Sequence, residues 1–156
     1  MKTTKRIISS ALVLVVLLAF YCTPIMAADI VDHPEQTITY LSDGSYIITT
    51  TEVVESIQPF AAEKTISGKK VHRYYNASDE LMWSFSVHGT FTYNGTTAKA
   101  TAASYSYSIS NSDWSFKSAS ASYSGATATA TGTFKHGIFS HTATVSLTCS
   151  PTGVLS

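Results

Sequence analysis

The sequence predicts an all-β fold: an antiparallel β-sandwich or a bent-strand barrel of about seven or eight strands, after an N-terminal signal peptide. Three observations carry that prediction. Helical periodicity is nearly absent beyond the first 28 residues. Runs that alternate apolar with hydroxyl side chains follow one another to the C-terminal end. Between them stand turn pairs, among them Asp43-Gly44, Asn94-Gly95, Ser124-Gly125 and His136-Gly137.

The first element is the export signal. Lys2, Lys5 and Arg6 precede an apolar run over Ala11 to Phe20, and small residues follow at Ala27 and Ala28. The run is shorter than the ~20 residues that span a bilayer. Cleavage after Ala27 leaves Ile25 at the third position back, and cleavage after Ala28 leaves Met26. Neither gives a small-x-small site, so both stay open. Tyr21 before Cys22 is too large for the lipoprotein-processing site, which argues against a lipid anchor there. Loss of Cys22 with the signal leaves Cys149 alone, to be read as a buried thiol or as a link to a second chain.

The segment 29–63 opens with a hairpin, "TITYLSDGSYIITTTEVV", turning at Ser42 to Ser45. Pro59 breaks the chain, and the domain 64–156 begins with the strand "TISGKKVHRYY". A loop over Asn76 to Glu80 leads into "LMWSFSVHGTFTY". There Trp83, Phe85, Val87, Phe91 and Tyr93 share the buried parity, and Ser84, Ser86, His88, Thr90 and Thr92 the solvent parity. Asn94-Gly95 predicts a type I′ hairpin. The next strand changes phase between Ala102 and Ala103, and the one after it between Phe116 and Ala119. A one-residue slip would turn the apolar face outward, so each change predicts a bulge. Ala126, Ala128, Ala130 and Phe134 form the inner row of the seventh run. Phe139, Ala143, Val145, Leu147 and Cys149 form that of the last, and Pro151 ends it. Thirteen residues at ~3.3 Å each would reach ~43 Å, so the long strands must bend. Gly89 and Gly132, in mid-strand, are the expected corners.

The whole chain is neutral, but removing Lys2, Lys5 and Arg6 leaves seven bases against ten acids, a net charge of −3. Seven of those acids lie between Asp29 and Glu63, a segment without Lys or Arg. The bases that follow are dispersed, which excludes a nucleic-acid stripe.

Chemistry-bearing motifs are scarce. The chain has no Gly-x-Ser-x-Gly elbow, His-Glu-x-x-His, Cys-x-x-Cys or phosphate-cradling glycine loop. After Lys64 the acids are Asp79, Glu80 and Asp113, all in predicted turns, where such side chains hold their own backbone. His88, His136 and His141 would bind zinc only if they converged. Trp83, Trp114, Tyr105 and Tyr107 would suit a sugar platform, but all four fall on the buried parity and read as core. Of the adjacent Tyr74 and Tyr75 one must face outward, and a single ring is no site. No catalytic residue, metal or cofactor is expected.

The stretches "YLSDGSYIITT", "LMWSFSVHGTFTYNGTT", "YSISNSDW" and "VSLTCSPTGVLS" together resemble a group of small secreted β-rich proteins of Gram-positive, often gut-dwelling, bacteria. Chains of that group often carry further cysteines in the middle strands, which this one lacks. The resemblance implies a secreted bacterial β protein and transfers no site residue. The expectation is therefore a non-catalytic extracellular binding or structural protein, released or loosely wall-associated, since no LPxTG-type tail or apolar C-terminal anchor is present. Its partner would be a cell-wall or host glycan, or a protein. The alternative is a bacteriocin-like toxin whose acidic segment 29–63 is trimmed near Pro59 to Lys64. An enzyme comes third.

Overall fold

The computed structural model describes residues 35–57 and 63–156. The signal peptide, its cleavage at Ala27 or Ala28, Cys22 and the Pro59 break lie outside the described residues. Within them eight strands form: β1 (Gln36–Tyr40), β2 (Tyr46–Ile57), β3 (Lys64–Tyr75), β4 (Leu81–Tyr93), β5 (Ala98–Ile109), β6 (Trp114–Ser124), β7 (Thr127–His136) and β8 (Phe139–Thr148). They make two antiparallel meanders. Sheet A runs β1-β2-β3-β4-β5 and sheet B runs β6-β7-β8. No helix occurs among the described residues.

Both predicted phase changes are bulges. On β5, Ala102 pairs with Thr90 and Ala100 with Phe91, which leaves Thr101 extra. On β6, Phe116 pairs with Phe134 and Ser118 with Thr133, which leaves Lys117 extra. Two further bulges are not predicted by the apolar rows of the sequence. Val54 is extra on β2. Met82 is extra on β4, so Met82 and Trp83 are buried side by side.

The turns follow local chemistry. Gly125-Ala126 and Gly137-Ile138 are two-residue loops with positive φ at the glycine (57° and 59°), the Gly-first pattern of a type II′ turn. The expected type I′ turn at Asn94-Gly95 does not form. Tyr93 pairs with Ala98 across a four-residue loop, and only Gly95 has positive φ. Asn94 instead uses its side chain: Oδ1 accepts from the Thr96 and Thr97 amides at 3.0 and 2.8 Å. An Asx turn satisfies the backbone without left-handed Asn geometry.

The core lies between the sheets. Both sheets supply large rings, and glycines and alanines of both make room for them. Trp83 stacks on Phe134, centroids 4.3 Å apart. A Cβ on Gly132 would stand 2.8 Å from the Phe85 ring, and one on Gly89 would meet the Phe91 ring at 2.6 Å. Ala100, Ala128, Ala130 and Ala143 are buried around them. The two glycines are thus clearances for rings rather than bulges of their own. Burying a ring such as Phe85 contributes roughly 1.5–3 kcal/mol, and a well-placed aromatic pair adds about 0.5–1.5 kcal/mol.

Threonines and serines coat the outside of sheet B as a cross-strand ladder. Thr127 and Thr148 hydroxyls lie 3.0 Å apart, Thr129 and Ser146 3.0 Å, Thr131 and Thr144 3.2 Å. On sheet A, Ser86 keeps its outer parity, opposite Val71 and Ser106, but is buried rather than in water.

Candidate functional site

Sheet A has five strands and sheet B three, so one side of the sandwich stays open. Stacking of Trp83 on Phe134 sets β4 over β7. Tyr74 lies 5.4 Å from His141, and Leu155 fills the space beside Gly68, which sets β3 over β8 and the segment after it. β1 and β2 make no comparable packing against sheet B. All of β1 is exposed, and among the described side chains of β2 only Thr50 is more than partly buried.

The pairing register shows what this overhang presents to the inside. Residues directly opposite share a face. On β4 the inward row is Trp83, Phe85, Val87, Gly89 and Phe91. Opposite them on β3 stand Tyr74, His72, Lys70, Gly68 and Ile66. Opposite those on β2 stand Ile47, Thr49, Thr51 and Val53. The same face therefore turns from aromatic to polar within two strands. Thr37 on β1 continues it, opposite Thr49.

A cleft of ≈ 320 Å³ lies under this polar roof, lined by Glu35, Thr37, Thr49, Thr51, Lys70, His72 and Ser156. Its size reaches the range of ligand pockets, roughly 300–1,000 Å³. Burial, with Lys70 second, holds the His72 imidazole below its usual pKa, so it stands neutral, as donor and acceptor. Lys70 makes no ion pair among the described residues, whereas Lys69 on the opposite face reaches Glu52 at 3.0 Å. The cleft thus offers one ammonium, one carboxylate, one neutral imidazole and three threonine hydroxyls. That set binds hydroxyls, amides and anions.

The other candidates are dispersed. His88 is on the outer face of sheet A, with Nε2 2.9 Å from the Ser106 hydroxyl. No hydrogen bond orients its other ring nitrogen among the described residues, so it lacks the third member of a nucleophile–base relay. The neighbouring dent, with Gly68, Gly89 and Ser104, holds only ≈ 150 Å³. His136 stacks on Trp114 at 5.1 Å, and His141 packs against Tyr74 and Trp83. The three histidines do not meet, and no group of metal-ligating residues forms among the described residues. Glu80 accepts from the Asn76 amide at 2.8 Å inside its own loop. The Asp113 amide donates to Asn111 at 2.9 Å. Burial, with Asp79 second, holds the Tyr46 hydroxyl above its usual pKa.

The expected burial of the four aromatics needs correction. Trp83 is fully buried and Trp114 half-buried, but Tyr105 and Tyr107 are 39% and 46% exposed. They keep the inward parity, yet β5 and β6 are the edges of their sheets and meet at an open rim. Tyr107 stacks there on Phe116 at 3.7 Å. Phe139 and Tyr123, on inner rows by sequence, are likewise exposed near strand ends. Tyr74 is buried and Tyr75 faces outward, but not alone. Tyr75 stacks on Tyr46 at 5.0 Å, and Tyr46 touches Tyr40 at 5.6 Å. Stacked nearly parallel, Tyr46 and Tyr75 each lose one face to the other. No family model, curated protein or solved structure matches the chain.

The signal for the cleft was present in "KKVHRYY", where Lys70 and His72 share parity with Tyr74. Alternation alone did not say which parity faced inward.

Proposed function

We propose that the protein is a non-catalytic binding protein acting outside the cell, and that it holds an extended ligand in the cleft on the open side of the sandwich. One observation carries this reading. Lys70, His72, Thr49 and Thr51 occupy the face that is solid core one strand away. Polar side chains on a core face would be costly if covered by apolar groups, and they suit a polar ligand. The export signal read from the first 28 residues supports action outside the cell, with a cell-wall or host glycan or protein as partner. The toxin alternative is weakened by β2, which lies between β1 and β3 and pairs with β3 from Tyr46 to Ile57. Trimming near Lys64 would strip two of five strands and bare the edge of β3.

The test is retention of the purified chain on isolated cell walls and on host mucus. Thr49→Trp fills the cleft; Ser106→Trp places the same ring on the outer face. The reading expects Thr49→Trp to reduce retention at least tenfold and Ser106→Trp to leave it unchanged. Equal retention of both variants and the parent would sink it.

A further inference from the structure

The ligand's form follows from the edge that borders the cleft. β8 is the outer strand of sheet B, and its ten residues, Phe139 to Thr148, carry no Lys, Arg, Asp, Glu or Pro. Edge strands are commonly protected by charge, proline or cover; this one carries no such charge or proline, and among the described residues no strand covers most of its length. Yet at one end the residues that follow β8 already fold back beside it in an isolated bridge. Ser156 and Thr148 exchange both backbone hydrogen bonds, at 2.9 and 3.0 Å, and Leu155 bridges to Cys149. Leu155 turns inward against Gly68 and is buried. The place of a fourth strand in sheet B is therefore marked out by the chain itself. Continued along β8, that place runs beneath Thr51 and Thr49 of the overhang, with Ser156 at the mouth of the cleft.

We infer that the cleft takes an extended polypeptide segment of a partner protein, which adds to β8 as the fourth strand of sheet B and turns an acidic side chain toward Lys70 and His72. The inference rests on the cleft being the binding site. Main-chain hydrogen bonds to β8 supply affinity, and alternate side chains meet the roof, the mode of strand addition. Threonines of the roof suit small or β-branched neighbours. Lys70, unpaired among the described residues, suits a carboxylate. Glu35 in the same lining disfavours a second acid near the Ser156 end.

The experiment uses the full chain and a fluorescein-labelled octapeptide of alternating threonine and valine with one central aspartate. Fluorescence anisotropy measures its affinity beside a twin with central lysine. Amide hydrogen exchange reads β8 directly. The inference expects the aspartate peptide to bind about fivefold or more tighter than its twin, as a partly screened charge pair would give. It expects Lys70→Glu to reverse that order and exchange to slow in Ser140 to Ser146. Thr49→Trp should abolish binding, and unchanged exchange in the unliganded variant shows that it still folds. No binding of either peptide, or binding that leaves β8 exchange unchanged, would overturn strand addition. If that occurs while Thr49→Trp still removes retention on walls or mucus, the cleft stands and its ligand is a glycan. If retention is also unaffected, both readings fall.

Discussion

His141 shows how one side chain ties packing to pH. It sits 5.4 Å from Tyr74 and 5.7 Å from Trp83, and its burial lowers the imidazole pKa, with Asp43 opposing weakly. Burial also lowers His72 and His88, each with a lysine as the second cause. A histidine depressed in the folded state binds fewer protons than in the unfolded chain. Its stabilising effect is full above the unfolded pKa of ~6.5 and declines as the pH falls toward the folded value. The urea midpoint should therefore be lower at pH 5.5 than at pH 7.5. His141→Phe should narrow the difference, and an identical midpoint at both pH values would contradict the burial account. Asp43, held below the usual carboxylate range by the Ser45 hydroxyl, acts only in more acid solution. Trp83 adds a tension at this spot, because its buried Nε1 finds no acceptor among the described residues. Such an orphan costs about 1–3 kcal/mol, offset by stacking on Phe134.

Among the elements, bulges mark where sequence reading succeeded and where it stopped. Thr101 and Lys117 were legible because alanines and aromatics change phase around them. Met82 stands between Leu81 and Trp83 in a run apolar on both faces, so its slip leaves no trace in the pattern; at Val54 the slip shows only in Glu52 and Glu55, three apart yet on one face. Tyr105 and Tyr107 show a second limit: parity tells which face a residue takes, not whether another sheet covers it. The Lys117 bulge gives a test. Deleting Lys117 joins Phe116 to Ser118 in plain alternation and keeps Ala119 and Ala121 inward. Deleting Ser120 turns Ala121 and the rest of β6 to the other face. The first deletion should fold within about 2 kcal/mol of the parent, whereas the second should lose cooperative unfolding. Equal damage from both would mean that the bulge is not a separable unit.

At the scale of the whole molecule, the fold class was legible and the site was not. Hydroxyl and apolar alternation specified two-faced strands, while the sheet to which each strand belongs is a long-range fact. Only once β3 lies over β8 do Lys70 and His72 find themselves above a free edge. Cys149 offers a probe of the assembled whole. It is 2% exposed, its thiol pKa is raised by burial, and its S–H points to the Ser150 carbonyl at 3.4 Å. A disulfide-exchange reagent should modify it only when the sandwich opens, because the reactive thiolate is suppressed and out of reach. At reagent concentrations that outrun refolding, the modification rate should equal the global unfolding rate; a fast reaction with the native protein would show local opening around residues 148–156.

Every hydrogen-bonded neighbour in both sheets is also the neighbour in sequence, and the step from β5 to β6 is the one place where the chain changes sheets. Each hairpin closes a short loop, so little chain entropy is lost before its first contacts form. Loop closures of this kind lower the contact order of a β protein and speed its folding. Each strand of a meander can pair as soon as its successor arrives. A chain exported N-terminus first would form its sheets in the order in which it emerges.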